Sequence, residues 1–252
     1  MGMADRRFIR SVALKKGHGW NAKEFPFHLP AVKQLNKLTL HKNVTFIVGE
    51  NGSGKSTVLE AIAASYGFNP EGGTKNFMFS TFDSHTNLHE HISLIKGSAK
   101  PDDGFFFRAE SYYNVATHIE ELDKEQGSGN RIIKSYGDTS LHKQSHGESF
   151  MSLFLHRFGP NSLYILDEPE AALSPSRQLT LISRLHELVE EGCQFIIATH
   201  SPILLAYPNS VIYQLNEGYE KVTYEESDHY QITKSFLDYP KRMLDVLMSK
   251  PK

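Results

Sequence analysis

The run GENGSGKST, Gly49 to Thr57, spaces Gly49, Gly52 and Gly54 ahead of Lys55 and Ser56. Glycines at these places let backbone N–H groups approach an anion closely, Lys55 adds a point charge, and Ser56 a hydroxyl able to ligate a divalent cation. The run lies between an apolar stretch, Val44 to Val48, and a helical pattern through Val58, Leu59, Ile62 and Ala63. A strand feeding a glycine-rich turn into a helix aims successive amides and the positive end of the helix dipole at one point. That chemistry is phosphate binding. The segment predicts a nucleoside triphosphate and its magnesium held by Gly49, Glu50, Asn51, Gly52, Ser53, Gly54, Lys55, Ser56 and Thr57.

SerLeuTyrIleLeuAspGluPro at 162–169 is an apolar strand that delivers two acids at its end. Asp167 is placed to hold the magnesium together with Ser56, directly or through water, and Glu168 to polarise the water that attacks the γ-phosphorus. Acids after a strand also cap helices, so the assignment rests on their joint occurrence with the phosphate loop. SerHisGlyGluSer at 145–149 has two readings. Ser145 and Glu148 have capping-box spacing, while Ser145, Gly147 and free helix-start amides also make an anion site able to face a γ-phosphate bound elsewhere. ThrHisSerPro at 199–202 ends an apolar run, so His200 stands where ligands collect in open α/β sheets and can contact phosphate or orient water.

The ordered set GENGSGKST, SHGES, LYILDEPE and ATHS, spread over residues 44–202, resembles an ABC-type ATPase. SHGES stands where that family carries LSGGQ, with Ser145 and Gly147 matching. The resemblance implies ATP as the nucleotide and a homodimer across two ATP sites. In it, Ser145 and Gly147 of one subunit contact the ATP held by Lys55 of the other, His200 is the switch histidine and Glu168 the catalytic base. DEPEAALSP, with Glu170, Leu173 and Pro175, and HisSerPro at 200–202 are similar to soluble ABC ATPases of the RecF, SMC and OLD kind. GFNPEGG, STFDSH, RAES and QSHGES further resemble a compact group of bacterial stand-alone ATPases of the AAA family. Two departures stand out. No Gln lies between Lys55 and Arg108, where the family has its magnesium-contacting glutamine, leaving Asp83, His85 or Asn87 as replacements or as a polar surface loop. Ser174 replaces the dimer-loop Asp.

Other candidates have plainer readings. His85, His89 and His91 invite a metal site, but helical spacing aligns only the first two. Trp20, Phe25 and Phe27 are candidates for stacking on adenine or for the core. Arg108 is expected to pair with Glu110 or a phosphate.

The elements that must position these residues follow from pattern. The reading is an α/β fold of P-loop ABC-ATPase type: a mainly parallel central sheet, an N-terminal antiparallel β subdomain and an inserted helical subdomain. The boundaries are a β region at 1–43, a nucleotide core at 44–67 and 160–215, an insert at about 68–159, and a helical tail at 226–252. Phe8 to Leu14, Phe25 to Val32 and Leu38 to Phe46 read as β-like. Residues 68–104 read as loops flanking short helices, Phe105 to Glu110 as a buried strand, and Tyr113 to Lys124 as a short helix. Leu163 to Leu166 and Phe195 to Ala198 read as central parallel strands. Between them a helix is expected with Ser174 as N-cap, Pro175 in its first position, Leu179, Ile182, Leu185 and Leu188 on one face, and Gly192 at its end. The tail Tyr230 to Met248 reads as helical with a break at Pro240.

Composition narrows the rest. With 27 Lys and Arg against 29 Asp and Glu in 252 residues, the net charge of −2 gives no global reason to bind nucleic acid or an acidic membrane. DNA contact would need Lys33, Lys37, Lys42, Arg131 and Lys134 on one face. Cys193 is the single cysteine and reads as core. No run of about 18 apolar residues or secretory signal occurs, so a cytoplasmic protein without a transmembrane segment is expected. The expected function is an ATP-switched dimeric ATPase acting on a protein effector or DNA in genome maintenance or phage defence. The alternatives are the ATP-hydrolysing subunit of a membrane transporter and a nucleotide-dependent binding module with negligible turnover.

Overall fold

A computed structural model describes residues 6–15, 21–74, 86–111, 117 and 146–249. Two sheets carry the fold. The larger has strands β3 (Val44–Gly49), β5 (Asp103–Arg108), β6 (Ser162–Asp167), β7 (Gln194–Ala198), β8 (Ser210–Leu215) and β9 (Tyr219–Val222), in the order β5-β6-β7-β3-β8-β9. All neighbours are parallel except β8 and β9. The smaller sheet is antiparallel, with β1 (Ile9–Leu14) between β2 (Leu38–Thr39) and β4 (Ile92–Lys96).

The central strands lack polar alternation because both faces of the large sheet are covered. Phe105, Phe107, Tyr164, Leu166, Phe195 and Ile197 point to one side. There they meet α4 (His146–Ser152), its π-helical continuation Leu153–Arg157, and α5 (Pro175–Glu190). Phe106, Leu163, Ile165, Ile196 and Ile47 point to the other, against α2 (Lys55–Tyr66) and the small sheet. The pleat assigns alternate residues to opposite cores.

Gln194 joins the two sheets. Fully buried at the start of β7, its Oε1 accepts from the N–H groups of Phe8 and Ile9, both at 2.9 Å. Its Nε2 donates to the carbonyls of Ile9 at 2.8 Å and His41 at 2.9 Å.

Several expectations need correction. Phe25 to Val32 is not β-like: Pro26 and Pro30 remove strand donors, and Pro30 instead opens the short helix α1 (Pro30–Lys33). Leu38 to Phe46 is split between β2 and β3. Residues 88–96 form α3 (Leu88–His91) and then β4, a strand read as loop because its partner β1 is remote in sequence. The expected insert thus contributes β4 to the small sheet and β5 to the large one. Of the expected helix at 113–124 only Thr117, which is helical, is among the described residues, and the loop at 126–130, Arg131 and Lys134 lie outside them. In α5, Ser174 caps by accepting from Arg177 N at 3.4 Å, but Leu179 is 61% exposed and Gln178, Leu181, Leu185 and Leu188 form the buried face. Cys193 is buried and free. The tail is two helices, α7 (Asp228–Asp238) and α8 (Pro240–Met248), parted at Pro240. Among the described residues no helix is long and apolar enough to cross a membrane.

Because Gln194 satisfies otherwise orphaned backbone groups, and each stranded group costs about 1–3 kcal/mol, Gln194→Leu is expected to lower the unfolding free energy by about 3 kcal/mol or more. Urea unfolding measures it, and a loss below about 1 kcal/mol contradicts the proposed junction.

Candidate functional site

The phosphate loop follows β3 and leads into α2, whose N-cap is Gly54 with no side-chain cap. The first-turn amides are therefore available to an anion. Gly54 is required twice over: its φ is +95°, and a Cβ there would come within 3.0 Å of Leu29 Cβ. Lys55 is buried, and its Nζ donates to the loop carbonyls of Gly49 at 2.7 Å and Glu50 at 2.9 Å. An ammonium has three donors, so one remains to reach a phosphate. Burial pushes the Lys55 pKa down, while Glu168 and Asp167 pull it back up.

Register brings the other motifs to the same edge. Asp167 pairs with Ala198 across β6 and β7, and Ile47 pairs with Ala198 across β3 and β7. Asp167, Ala198 and Ile47 are therefore level, with β3 running on to Gly49, beside the place where β3 is flanked by strands of different connectivity. Ser56 Oγ crosses the width of β7 to donate to Asp167 Oδ1 at 3.0 Å. Asp167 is 5% exposed, and burial pushes its carboxyl up to about 7 against the pull of Arg108 and Ser56. Arg108 Nε lies 3.9 Å from Asp167 Oδ2, while the guanidinium also reaches Glu60 at 2.8 Å and Glu110 at 3.3 Å.

Glu168 has φ +51°, and its N–H donates to Ala198 O at 3.0 Å. The Glu168 carboxylate lies 3.6 Å from His200 Nε2. His200 is held through its main chain, whose N–H donates to Glu170 Oε1 at 2.6 Å, and through Nδ1, 2.9 Å from His229 Nε2. Burial, then Lys55 and His229, lowers the His200 pKa. Ser201 and Pro202 begin the short helix α6 (Pro202–Leu205), with Ser201 Oγ accepting from Leu204 N at 3.2 Å. Ser201 Oγ also donates to buried Gln178 Oε1 at 2.5 Å, and Gln178 Nε2 donates to Leu173 O at 3.1 Å. That relay ties the segment after the acidic pair to the histidine turn.

A cleft of about 420 Å³ opens at this edge, lined by Phe25, Leu29, Asn51, Gly52, Gly54, Lys55, Ser56, Thr57, Glu110 and Glu168. Phe25 is exposed at this cleft, whereas Phe27 is buried edge-on to His91. Trp20 lies outside the described residues, as do Ser145, Asp83 and His85. Asn87 is exposed at the N-cap of α3. His89 is exposed with Nδ1 3.2 Å from Thr86 O, and no group of metal-binding side chains occurs among the described residues by the count of three His, Cys, Asp or Glu.

Gly147 is buried in α4, where a Cβ would run into the Ala172 carbonyl oxygen, and Glu148 pairs with Arg177 at 3.3 Å. Close packing inside the subunit is thus one reason for glycine at this position.

The donor set fits magnesium, a hard cation that takes oxygen ligands: a serine hydroxyl and a carboxylate already in contact. Ser53 Oγ and His200 Nε2 are buried without a hydrogen-bond partner, polar capacity suited to a polyphosphate, and Glu170 Oε2 is a buried acceptor suited to a water. Acids surround a cleft that would receive an anion, so a divalent cation also answers the charge balance. Sequence reading missed Glu60, Gln178 and His229. Only Glu60 had a local signal, its place one turn after Ser56 on the same helix.

A family model described as an AAA domain matches residues 24–191. A protein of Caldanaerobacter subterraneus subsp. tengcongensis assigned as an ABC transporter ATP-binding protein is 28% identical over 214 residues, 77% of this chain and 86% of its own. The galactose/methyl galactoside import ATP-binding protein of Pasteurella multocida is 25% identical over 195 residues, 68% of this chain but 36% of that protein. An SMC head domain from Thermotoga maritima aligns over 85% of this chain and 98% of its own, with 16% identity and TM-score 0.40. An SMC head bound to the C-winged helix domain of ScpA aligns over 87% and 99%, with 13% identity and TM-score 0.48.

The raised Asp167 pKa means that the folded chain binds this proton more tightly than the unfolded chain does. Stability from this group is therefore present below the unfolded value of about 3.9 and lost as pH rises through about 7. Without magnesium, Asp167→Asn is expected to be more stable than the wild type at pH 8, with the gap closing toward pH 5. Magnesium is expected to raise the wild-type melting temperature alone. Thermal melting across pH decides, and a pH-independent gap contradicts the assignment.

Proposed function

The chain belongs to the AAA-domain family, and from that premise we propose that it is a soluble ABC-type ATPase that hydrolyses ATP and switches between monomer and dimer. The observation that carries this reading is the Ser56–Asp167 hydrogen bond of 3.0 Å, which couples the phosphate loop to the acidic strand end. The 3.6 Å approach of His200 to Glu168 in the same place supports it.

In this reading Lys55 and the first-turn amides of α2 bind the β and γ phosphates, and Ser56 with Asp167 holds magnesium. When bound, that ion neutralises phosphate charge and polarises the phosphoryl oxygens. Glu168 accepts a hydrogen bond from the attacking water and orients it toward the γ-phosphorus. The turn with φ +51° sends its carboxylate away from the strand and toward His200. His200 Nε2 contributes a polar contact at the γ-phosphate side. Phe25 stacks on the base at the open end of the cleft.

Gly147, with Ser145 before it, contacts the γ-phosphate of a second copy. A triphosphate bound across two subunits favours the dimer by its differential affinity, and hydrolysis removes that bias. The soluble branch of the ABC ATPases suits the DEPEAALSP and HisSerPro segments, so we place the output on a protein effector or DNA, in genome maintenance or phage defence. The similarity to a protein assigned as an ABC transporter ATP-binding protein, across 86% of that protein, favours a second reading as a transporter subunit. A permease that co-purifies with the chain in ATP would select it.

Glu168→Gln should bind ATP without turning it over and so hold the dimer. Light scattering is expected to double the molar mass in ATP and magnesium and leave a monomer in ADP, with Lys55→Ala monomeric throughout. A Glu168→Gln protein that stays monomeric in saturating ATP contradicts the dimer switch.

A further inference from the structure

His229 lies 29 residues beyond His200, at the start of α7, yet its Nε2 stands 2.9 Å from His200 Nδ1. That distance requires one shared proton. Burial, then Lys55, lowers the pKa of His229, and burial with Lys55 and His229 lowers that of His200, so two neutral imidazoles are the favoured pair.

Two proton placements are then possible, and their outer nitrogens separate them. If His200 Nδ1–H donated, His200 Nε2 would turn a lone pair toward the Glu168 carboxylate 3.6 Å away. In the same arrangement His229 Nδ1 would carry an N–H, yet that atom is buried with no hydrogen-bond partner. A stranded N–H in a buried place is costly, and a lone pair facing a carboxylate is repulsive. The opposite placement leaves His229 Nδ1 with only a lone pair and turns the repulsion into attraction, because His200 Nε2–H, itself without a hydrogen-bond partner, then faces the carboxylate 3.6 Å away.

We propose that His229 is a positioning residue that fixes the tautomer of His200, its Nε2–H donating to His200 Nδ1 so that His200 Nε2 carries a proton toward the phosphate side of the cleft. The inference deepens the ATPase reading and rests on it for its kinetic consequence. The tautomer of a histidine is set by the partner of its other nitrogen, and here that partner comes from the C-terminal helices.

His229 is itself fixed by main-chain contacts. Ser227, fully buried, donates through Oγ to Tyr224 O at 2.7 Å, and Asp228 N donates to Oε1 of buried Gln214 at 2.9 Å. Gln214 lies on β8, next to β3, so the strand that supports the phosphate loop also has a neighbour that supports His229. The helix α7 has no buried residue of its own, so the buried N-cap Ser227 anchors it at its start.

Nitrogen-15 spectra of the imidazoles in wild type, His229→Phe and His229→Gln read the tautomer directly, with His200 identified from a His200→Gln spectrum. The amide nitrogen of Gln stands close to where Nε2 of His stands and keeps a donor. The expected wild-type spectrum has the proton of His200 on Nε2, lost to a mixture in His229→Phe and restored in His229→Gln. ATP turnover is expected to follow: kcat about tenfold lower in His229→Phe with KM for ATP unchanged, and recovery to within about twofold in His229→Gln. Matching melting temperatures would show that the fold is intact. A proton on His200 Nδ1 in the wild type overturns the proposal, as does a His229→Phe spectrum unchanged from wild type. Absence of turnover in the wild type would contradict the ATPase reading, while the spectra would still decide the tautomer.

Discussion

Parallel pairing of β6 with β7 and of β7 with β3 brings three carboxyl strand ends to one edge, and the cleft is assembled from what each chain segment does next. After β3 the chain turns into the phosphate loop. After β6 it delivers Asp167 and Glu168, and after β7 it reaches His200. A one-residue slip in either pairing would turn Asp167 from the cleft edge and exchange the two cores that alternate residues fill. The Ser56–Asp167 contact is possible because that register is kept.

Burial is the second constraint, and it acts on Lys55 and Asp167. Lys55 and Asp167 are buried, and each is pushed toward its neutral form by that burial. Opposed charges offset part of the cost: Arg108 stands between Glu60, Glu110 and Asp167, and the acids stand near Lys55. An enclosed ion is tolerated only when paired or when it serves to bind a counter-ion. The two reaction partners that this site suits, a polyphosphate and a divalent cation, are of opposite sign, and together they satisfy the charges that each would leave alone.

What could be read in the sequence was local in the chain. GENGSGKST is contiguous and its conformation follows from its own glycines, so the loop, the helix behind it and Lys55 were all legible. LYILDEPE was legible only together with the phosphate loop, because acids after an apolar strand also cap helices. The N-terminal β-like reading of Phe25 to Val32 failed because aromatic residues gave a strand signal that two prolines overruled. Ile92 to Lys96 was missed because β4 pairs with a strand some eighty residues earlier, about as non-local as a small sheet contains. Gln194 and His229 were invisible for a related reason. Their roles depend on where a single side-chain nitrogen or oxygen ends up relative to a remote segment, and neither has a spacing rule that marks it.

The helix face of α5 shows the same limit at smaller scale. Leu179 shares the apolar pattern, yet Gln178 is the buried residue, since its amide joins Leu173 to Ser201. A polar side chain with both ends satisfied displaced an apolar one from the core. The result is a hydrogen-bonded support beneath the histidine turn.

In the proposed ATPase this edge hydrolyses a nucleoside triphosphate with Glu168 as the base. Phosphate release by wild-type protein and Glu168→Gln in saturating ATP and magnesium tests it most directly. Steady release is expected from the wild type, and a loss of about a hundredfold or more in the variant with ATP still bound. Equal rates, or no release by either, would contradict it.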